Sequence, residues 1–311
     1  MRFSKTNTQA GPVGLDLDGD FVAAVQLSDG GVARAHSADL PAGLLRDGEV
    51  EDPAALSEEL KQLFRTHGLP KRVNLGVANR QVAVRQIELP LIEDPTDRVA
   101  AIRFQAEEAI AMPLDEATMD YQVVGQSEAE DGTTRLRVIV VAAREAMIGR
   151  LLESARGAGL KVDGIDLSAF ALVRALADQT AMGYDAARVY CHLGGVSNLA
   201  IAVGPSCLFT RPIAVTVDGQ ATEDFASALA EEIRLSLDYY LGQPEAPIAG
   251  DVVLSGPGSK IDGLAEELGL VVDLPVFVAK PLGGLLIGGL APDEDPTRLT
   301  VAAGLAIGGA G

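Results

Sequence analysis

Apolar and polar residues alternate at period two over residues 12–40, which predicts three short strands joined by tight turns. In "LDLDGDFVAAVQL" (15–27), Leu15, Leu17, Phe21, Ala23 and Val25 share one face, with Asp16 and Asp18 on the other. Asp18-Gly19 is the dipeptide that a two-residue type I′ turn prefers, and Asp29-Gly30-Gly31 supplies the next turn. The period then changes. Leu56, Leu60, Leu63 and Phe64 form one stripe of a helix that Asp52-Pro53 opens and Gly68 closes. Strands are expected at 73–78 and 82–89, followed by a helix from Asp94-Pro95 to Met112, where Pro113 stops it. A hairpin of 119–126 and 134–142 turns at Glu130-Asp131-Gly132, and helix 144–157, strand 161–167 and helix 168–178 follow.

The pattern restarts at 188–215, again as a three-strand meander with Gly-rich turns. A long helix, 219–241, carries Phe225, Leu229, Ile233, Leu237 and Leu241 at i+4 spacing and is closed by Gly242. Strand 251–255, a Gly-rich turn, helix 259–268 and a last helix near 297–307 complete the chain. Aligning the two restarts sets Asp16 against His192, Leu17 against Leu193, and Asp18-Gly19 against Gly194-Gly195. Two related halves, 12–187 and 188–311, are therefore expected to face each other across a cleft. The first carries an extra block, about 42–158, and residues 1–11 read as a flexible start.

Composition narrows the function. The 44 acidic residues outnumber the 25 basic ones, and the net charge of −19 argues against a nucleic-acid partner. It also disfavours direct contact with an anionic membrane, and the most apolar stretch, "PLGGLLIGGLAP" (281–292), is too short to insert. "MRFSKTNTQA" (1–10) lacks the apolar core of a signal peptide, so a cytoplasmic location is expected. Cys191 and Cys207 build no disulfide framework and are expected to be free, buried thiols. His36, His67 and His192 lack zinc-ligand spacing. No Ser/His/Asp set, catalytic carboxylate pair or CxxC motif is present, so nothing favours an enzyme acting on an external substrate.

Several stretches resemble the PilM family of the type IV pilus assembly platform: "IELP" (87–90), "IRFQAEEAIAMPLDEATMDYQVVG" (102–125), "GIDLSAFALVRAL" (164–176) and "EEIRLSLDYYL" (231–241). The resemblance spans about 12–308. It implies an α/β, actin-like (ASKHA) two-lobed fold of duplicated βββα-type halves, with an FtsA-like small subdomain inserted in the first half. It further implies ATP with Mg²⁺ in the cleft, and a cytoplasmic N-terminal segment of the membrane protein PilN bound beside the small subdomain. Pilus motor ATPases are further implied partners. The peptide groove is expected where the 42–158 block meets the first-half meander.

The nucleotide motifs are partly kept. Where the family usually reads D-I-G-S-S-S-V-K, this chain has "DLDGDFVA" (16–23): Asp16 matches, Asp18 replaces a Gly and Ala23 replaces the Lys. His192 in "HLGG" (192–195) replaces the Asp of the second loop, and Pro257 replaces a Gly in "LSGPGS" (254–259). The residues matched to nucleotide binding are Asp16, Gly19, Gly194, Gly195, Ser197, Asn198, Arg234, Ser255, Gly256 and Gly258, with Asp16 and Asp18 as the route to Mg²⁺. Glu231, Glu232 and Arg234 either line an adenosine pocket or form an exposed ion-paired face. A carboxylate about 5 Å from a phosphate costs roughly 3 kcal/mol at an effective dielectric of about 20. The expectation is a scaffold with a degenerate ATP site. The alternatives are an active actin-fold ATPase or kinase, a filament former like FtsA, and a cytoplasmic protein of the type II secretion platform.

Overall fold

The chain, as a computed structural model, is described over residues 11–128, 132–177, 186–215, 221–243, 246–282, 284–286 and 288–309. Residues 1–10 of the expected flexible start, and Glu130-Asp131 of the predicted turn, lie outside these.

The alternating pattern forms β1 (Val13–Leu17), β2 (Phe21–Ser28) and β3 (Gly31–Asp39). The first turn sits one residue later than the Asp-Gly dipeptide suggests. Asp18 N–H donates to the Phe21 carbonyl at 3.0 Å, which makes Gly19-Asp20 the central pair. Gly19 alone has a positive φ there, 70°, where type I′ needs two such residues, and Asp20 N–H donates to the Asp18 carbonyl at 2.7 Å. Asp18 thereby becomes the residue just before the turn, two positions from Asp16 and on the same face.

A short ribbon, β4 (Leu45–Arg46) and β5 (Glu49–Val50), leads to α1 (Pro53–His67). The caps are those the sequence announces: Asp52 accepts the amides of Ala54 and Ala55, and Gly68 closes the helix at φ 59°. Then come β6 (Arg72–Val77), β7 (Val82–Pro90), α2 (Pro95–Ala109), β8 (Ala117–Glu128) and β9 (Thr134–Arg144). After them follow α3 (Glu145–Gly157), β10 (Lys161–Leu167) and α4 (Ser168–Leu176). Helix α2 ends at Ala109 rather than Met112, because Ile110 turns extended and sinks into the core.

The second half contains β11 (Ala187–His192), β12 (Asn198–Val203), β13 (Ser206–Pro212), α5 (Thr222–Leu241), β14 (Ala249–Ser255), α6 (Leu264–Val272), β15 (Val276–Val278) and α7 (Thr300–Gly308). The i+4 stripe on α5 holds only in part. Phe225, Leu229 and Ile233 are buried, but an i+4 row drifts about 40° per step on a 3.6-residue helix. By Leu241 it has left the core (46% exposed), and Ser236 and Tyr240 are buried instead. The helix expected at 259–268 is a 3-10 turn at Pro257–Lys260 followed by α6, which begins after Gly263 in left-handed geometry.

Two five-stranded sheets result, ordered β10-β6-β1-β2-β3 and β13-β12-β11-β14-β15. From the third meander strand inward the order is the same in both, with the two strands beyond the meander joined in parallel. The element order β-β-β-α-β-α-β-α also repeats, once the inserted sheet β7-β9-β8 is set aside. That insertion is smaller than the expected 42–158 block. Strand β6 belongs to the first lobe's sheet, and α1 and α3 pack beneath it through Leu56, Leu60, Met147 and Leu151. Residues 82–144 alone form the separate unit, whose core joins Ile87, Leu89, Ile102, Ala106, Leu136 and Val138.

Each half sends its last helix to the other lobe. Leu172, Val173 and Leu176 of α4 pack on Tyr190, Ala200 and Cys207 of the second sheet. Ala302 and Ala303 of α7 pack on Phe21, Ala23 and Val25 of the first. The two helices cross at Gly304, where a Cβ would lie 1.9 Å from the Ala171 carbonyl oxygen, so only glycine allows the approach.

Candidate functional site

The crossed helices bring the β1–β2 turn of the first lobe against the β11–β12 turn of the second. Asp18 lies at the contact and is buried. Its Oδ1 accepts the Val196 N–H at 3.0 Å. Its Oδ2 stands 3.4 Å from His192 Nε2, an ion-pair separation outside hydrogen-bond geometry. The other ring nitrogen of His192, Nδ1, is 3.1 Å from Ser255 Oγ. Behind this pair, Asp16 accepts a hydrogen bond from Ser168 Oγ at 3.2 Å.

The electrostatics follow from burial. Loss of water pushes the Asp16 carboxyl up to about 7, and Asp18 adds to the rise while His192 and Ser168 oppose it. Burial alone pulls His192 down, but Asp18 and then Asp16 outweigh it, so its pKa is raised. The cluster therefore holds one carboxyl that resists ionising and one imidazole that favours its charge.

The two turns pack closely around Asp18, where the resemblance implies a phosphate. A Cβ on Gly195 would lie 2.1 Å from the Asp18 carbonyl oxygen, and one on Gly194 would lie 1.9 Å from Asp18 Oδ2. Gly19 faces Gly195 directly. The room that glycine leaves is taken by the chain itself. Ala23, at the family's Lys position, is fully buried against α7, so a lysine there would bury its charge.

Most of the matched residues are gathered here. Ser255, Gly256 and Gly258 border His192 and Leu193: Gly258 N–H donates to the Leu193 carbonyl at 2.9 Å, and Leu193 N–H donates to that of Ser255 at 2.8 Å. Ser197 Oγ reaches back to the Gly194 carbonyl at 3.5 Å. Asn198 opens β12 and accepts from Thr210 at 3.2 Å. Arg234 is not drawn into this cluster. Its guanidinium donates to the Val271 carbonyl at 2.5 Å, near the end of α6, and pairs with Glu231 at 3.5 Å. Glu232 holds Arg211 at 2.5 Å. The sequence did not single out Val196 N–H or Ser168, nor the pairing of Asp18 with His192. The alignment of the restarts, which set Asp18 against Gly194, carried the available hint.

A second site lies at the inserted sheet. A groove of about 350 Å³ runs between β8–β9 and the β6–β10 edge of the first sheet, with α4 as its floor. Tyr121, Ile139, Ile165, Phe170, Asp120 and Asp166 line it. Both β8 and β10 are edge strands, so unpaired backbone groups are available beside an apolar trough. The groove opens on β10 rather than on the meander, because β6 separates β10 from β1.

Two lobes of one topology, joined through crossed terminal helices around a cleft, define an actin-like protein. The structure of MreB5 of Spiroplasma citri bound to ADP is similar at 13% identity over 96% of each chain, with a TM-score of 0.53. A polyphosphate/ATP-glucomannokinase from Arthrobacter is similar at 12% identity over 96% of this chain and 98% of its own, with a TM-score of 0.52. A structure of the PilM-PilN type IV pilus biogenesis complex matches at a TM-score of 0.82, with 24% identity over 97% of this chain and 99% of that one. The family described as type IV pilus assembly protein PilM matches residues 14–189, more than half of the 311 residues, and the chain belongs to it.

Proposed function

We propose that this protein is a cytoplasmic scaffold of the type IV pilus assembly platform, recruited to the membrane by a PilN-like protein whose N-terminal segment it binds. The observation that carries this reading is the groove between the inserted sheet and β10. It offers two strand edges for main-chain pairing and apolar seats for alternate side chains, the means by which extended peptides are recognised. The similar structure that contains PilN supports the choice of partner. No helix among the described residues is long and apolar enough to cross a membrane, in keeping with attachment through a partner. Pilus motor ATPases are a further proposed contact. The ATP site is read as degenerate, because Asp18 fills the phosphate end of the cleft.

Calorimetric titration with a PilN-like N-terminal peptide tests the reading. Ile165, on β10 in the groove, is 37% exposed. Ile165→Arg is expected to weaken binding about a hundredfold by replacing an apolar seat with a long charged side chain. Leu270→Arg, on the far lobe, is expected to bind as wild type. Equal affinity for both variants would contradict the site, and no binding by the wild type would contradict the partner.

A further inference from the structure

The geometry points to a self-liganded cleft: the Asp18 carboxylate of the first lobe occupies an anion cradle formed by the β11–β12 turn of the second, and holds the lobes together without a nucleotide. This inference rests on the reading of the ATP site as degenerate and gives Asp18 a positive role within it.

Three observations converge on Asp18. Its Oδ1 takes a backbone amide from the opposite lobe, that of Val196, at 3.0 Å. Backbone N–H groups in such turns bind anions, and a carboxylate satisfies them as a phosphate oxygen does. Its Oδ2 faces the His192 imidazole at 3.4 Å, with neither atom hydrogen-bonded elsewhere. Both side chains are more than nine-tenths buried, at 4% exposure each. Finally, the carboxylate lies where a side chain at position 194 would begin, since a Cβ on Gly194 would stand 1.9 Å from Oδ2.

The sequence departures become mutually consistent in this light. An aspartate at position 18 repels phosphate, and a histidine at 192 removes the acid of the second loop; considered singly, each is a loss. Together they place an anion and its counter-cation across the lobe junction. The groups facing the pair are Asp16 and Ser168 from the first lobe and Ser255 from the second. Asp16 sits behind Asp18, where burial pushes its carboxyl up toward the neutral form.

Hydrogen exchange of the Val196 amide, measured on the full chain without nucleotide, tests the latch. Asp18→Gly is expected to speed that exchange about tenfold or more, the effect of losing one buried charged hydrogen bond. Added formate, a carboxylate small enough for the vacated space, is expected to restore most of the protection in this variant and leave wild type unchanged. Asp18→Asn keeps an acceptor for Val196 but loses the charge that faces His192, and is expected to exchange faster than wild type and slower than Asp18→Gly. Wild-type exchange in Asp18→Gly, or a loss that formate does not repair, would overturn the latch. Should Asp18→Gly fold only with formate present, the latch is supported. If it does not fold under either condition, Asp18→Asn decides: Val196 exchange faster than wild type supports the latch, and wild-type exchange contradicts it. Micromolar binding of MgATP by the wild type would overturn the degenerate-site reading. A failed peptide titration would overturn the PilN-like partner and leave the Val196 result untouched.

Discussion

The cleft and the groove are built by opposite means. In the cleft, two glycine turns close on a carboxylate from the chain itself, and Asp16, Asp18 and His192 are all buried. In the groove, two strand edges stand apart around about 350 Å³, with Ile165 left partly exposed. In the proposed account, the first site is filled from within and the second is where a partner segment would add. Under the proposed function, the inserted sheet rather than the cleft would carry the recognition surface.

If the two sites are separate, damage to one should spare the other. The largest effect is expected for Ile102→Ala, which empties the core of the inserted sheet where Ile102 is fully buried. A loss of about 2–5 kcal/mol is expected in the stability of that unit. Peptide binding should fail while Val196 exchange keeps its native rate; equal disturbance of both sites would break the comparison. Next is Gly304→Ala at the helix crossing, where the added Cβ meets the Ala171 carbonyl. Overpacking there is expected to cost about 1–3 kcal/mol in chemical denaturation, and this variant should speed Val196 exchange before it weakens peptide binding.

A smaller effect concerns pH. Asp16 has a folded pKa raised from 3.8 to about 7, so the folded state holds more protons than the unfolded chain between those values. Its contribution therefore falls as pH rises through that window. His192, raised above 6.5, has the same sign: the stability it adds is present below that value and is lost as pH climbs through the folded pKa. The melting temperature is expected to drop by a few degrees between about pH 6 and about pH 8, and Asp16→Asn should flatten the slope. The smallest effect concerns the thiols. Cys191 and Cys207 are free, buried, and pushed up to about 12 by burial. Native protein is expected to resist alkylation at neutral pH, with both cysteines reacting after denaturation.

Legibility in the sequence tracked locality. Asp52 and Gly68 named the ends of α1 because capping is a matter of a few adjacent residues. The duplicated meanders are readable from their Gly-rich turns although β1, β2, β11 and β12 are buried on both faces, and the PilM-like stretches carry the family. The sequence places the inserted unit within about 42–158 and no closer, because α1 and α3 are amphipathic helices like any others, and which sheet they cover is a tertiary fact. Three-residue β15 left too short a pattern to register. The cleft was legible residue by residue and not as an assembly. Asp18 and His192 read as two separate losses, since their pairing depends on helices α4 and α7 crossing tightly enough to press the turns together.

Hydrogen exchange of the whole protein with and without a PilN-like N-terminal peptide tests the central claim most directly. Protection is expected on β8 (Ala117–Glu128), β9 (Thr134–Arg144) and β10 (Lys161–Leu167), with the cleft turns around Asp18 and Val196 unchanged. Protection confined to 187–309, or to the turns of the cleft, would contradict it.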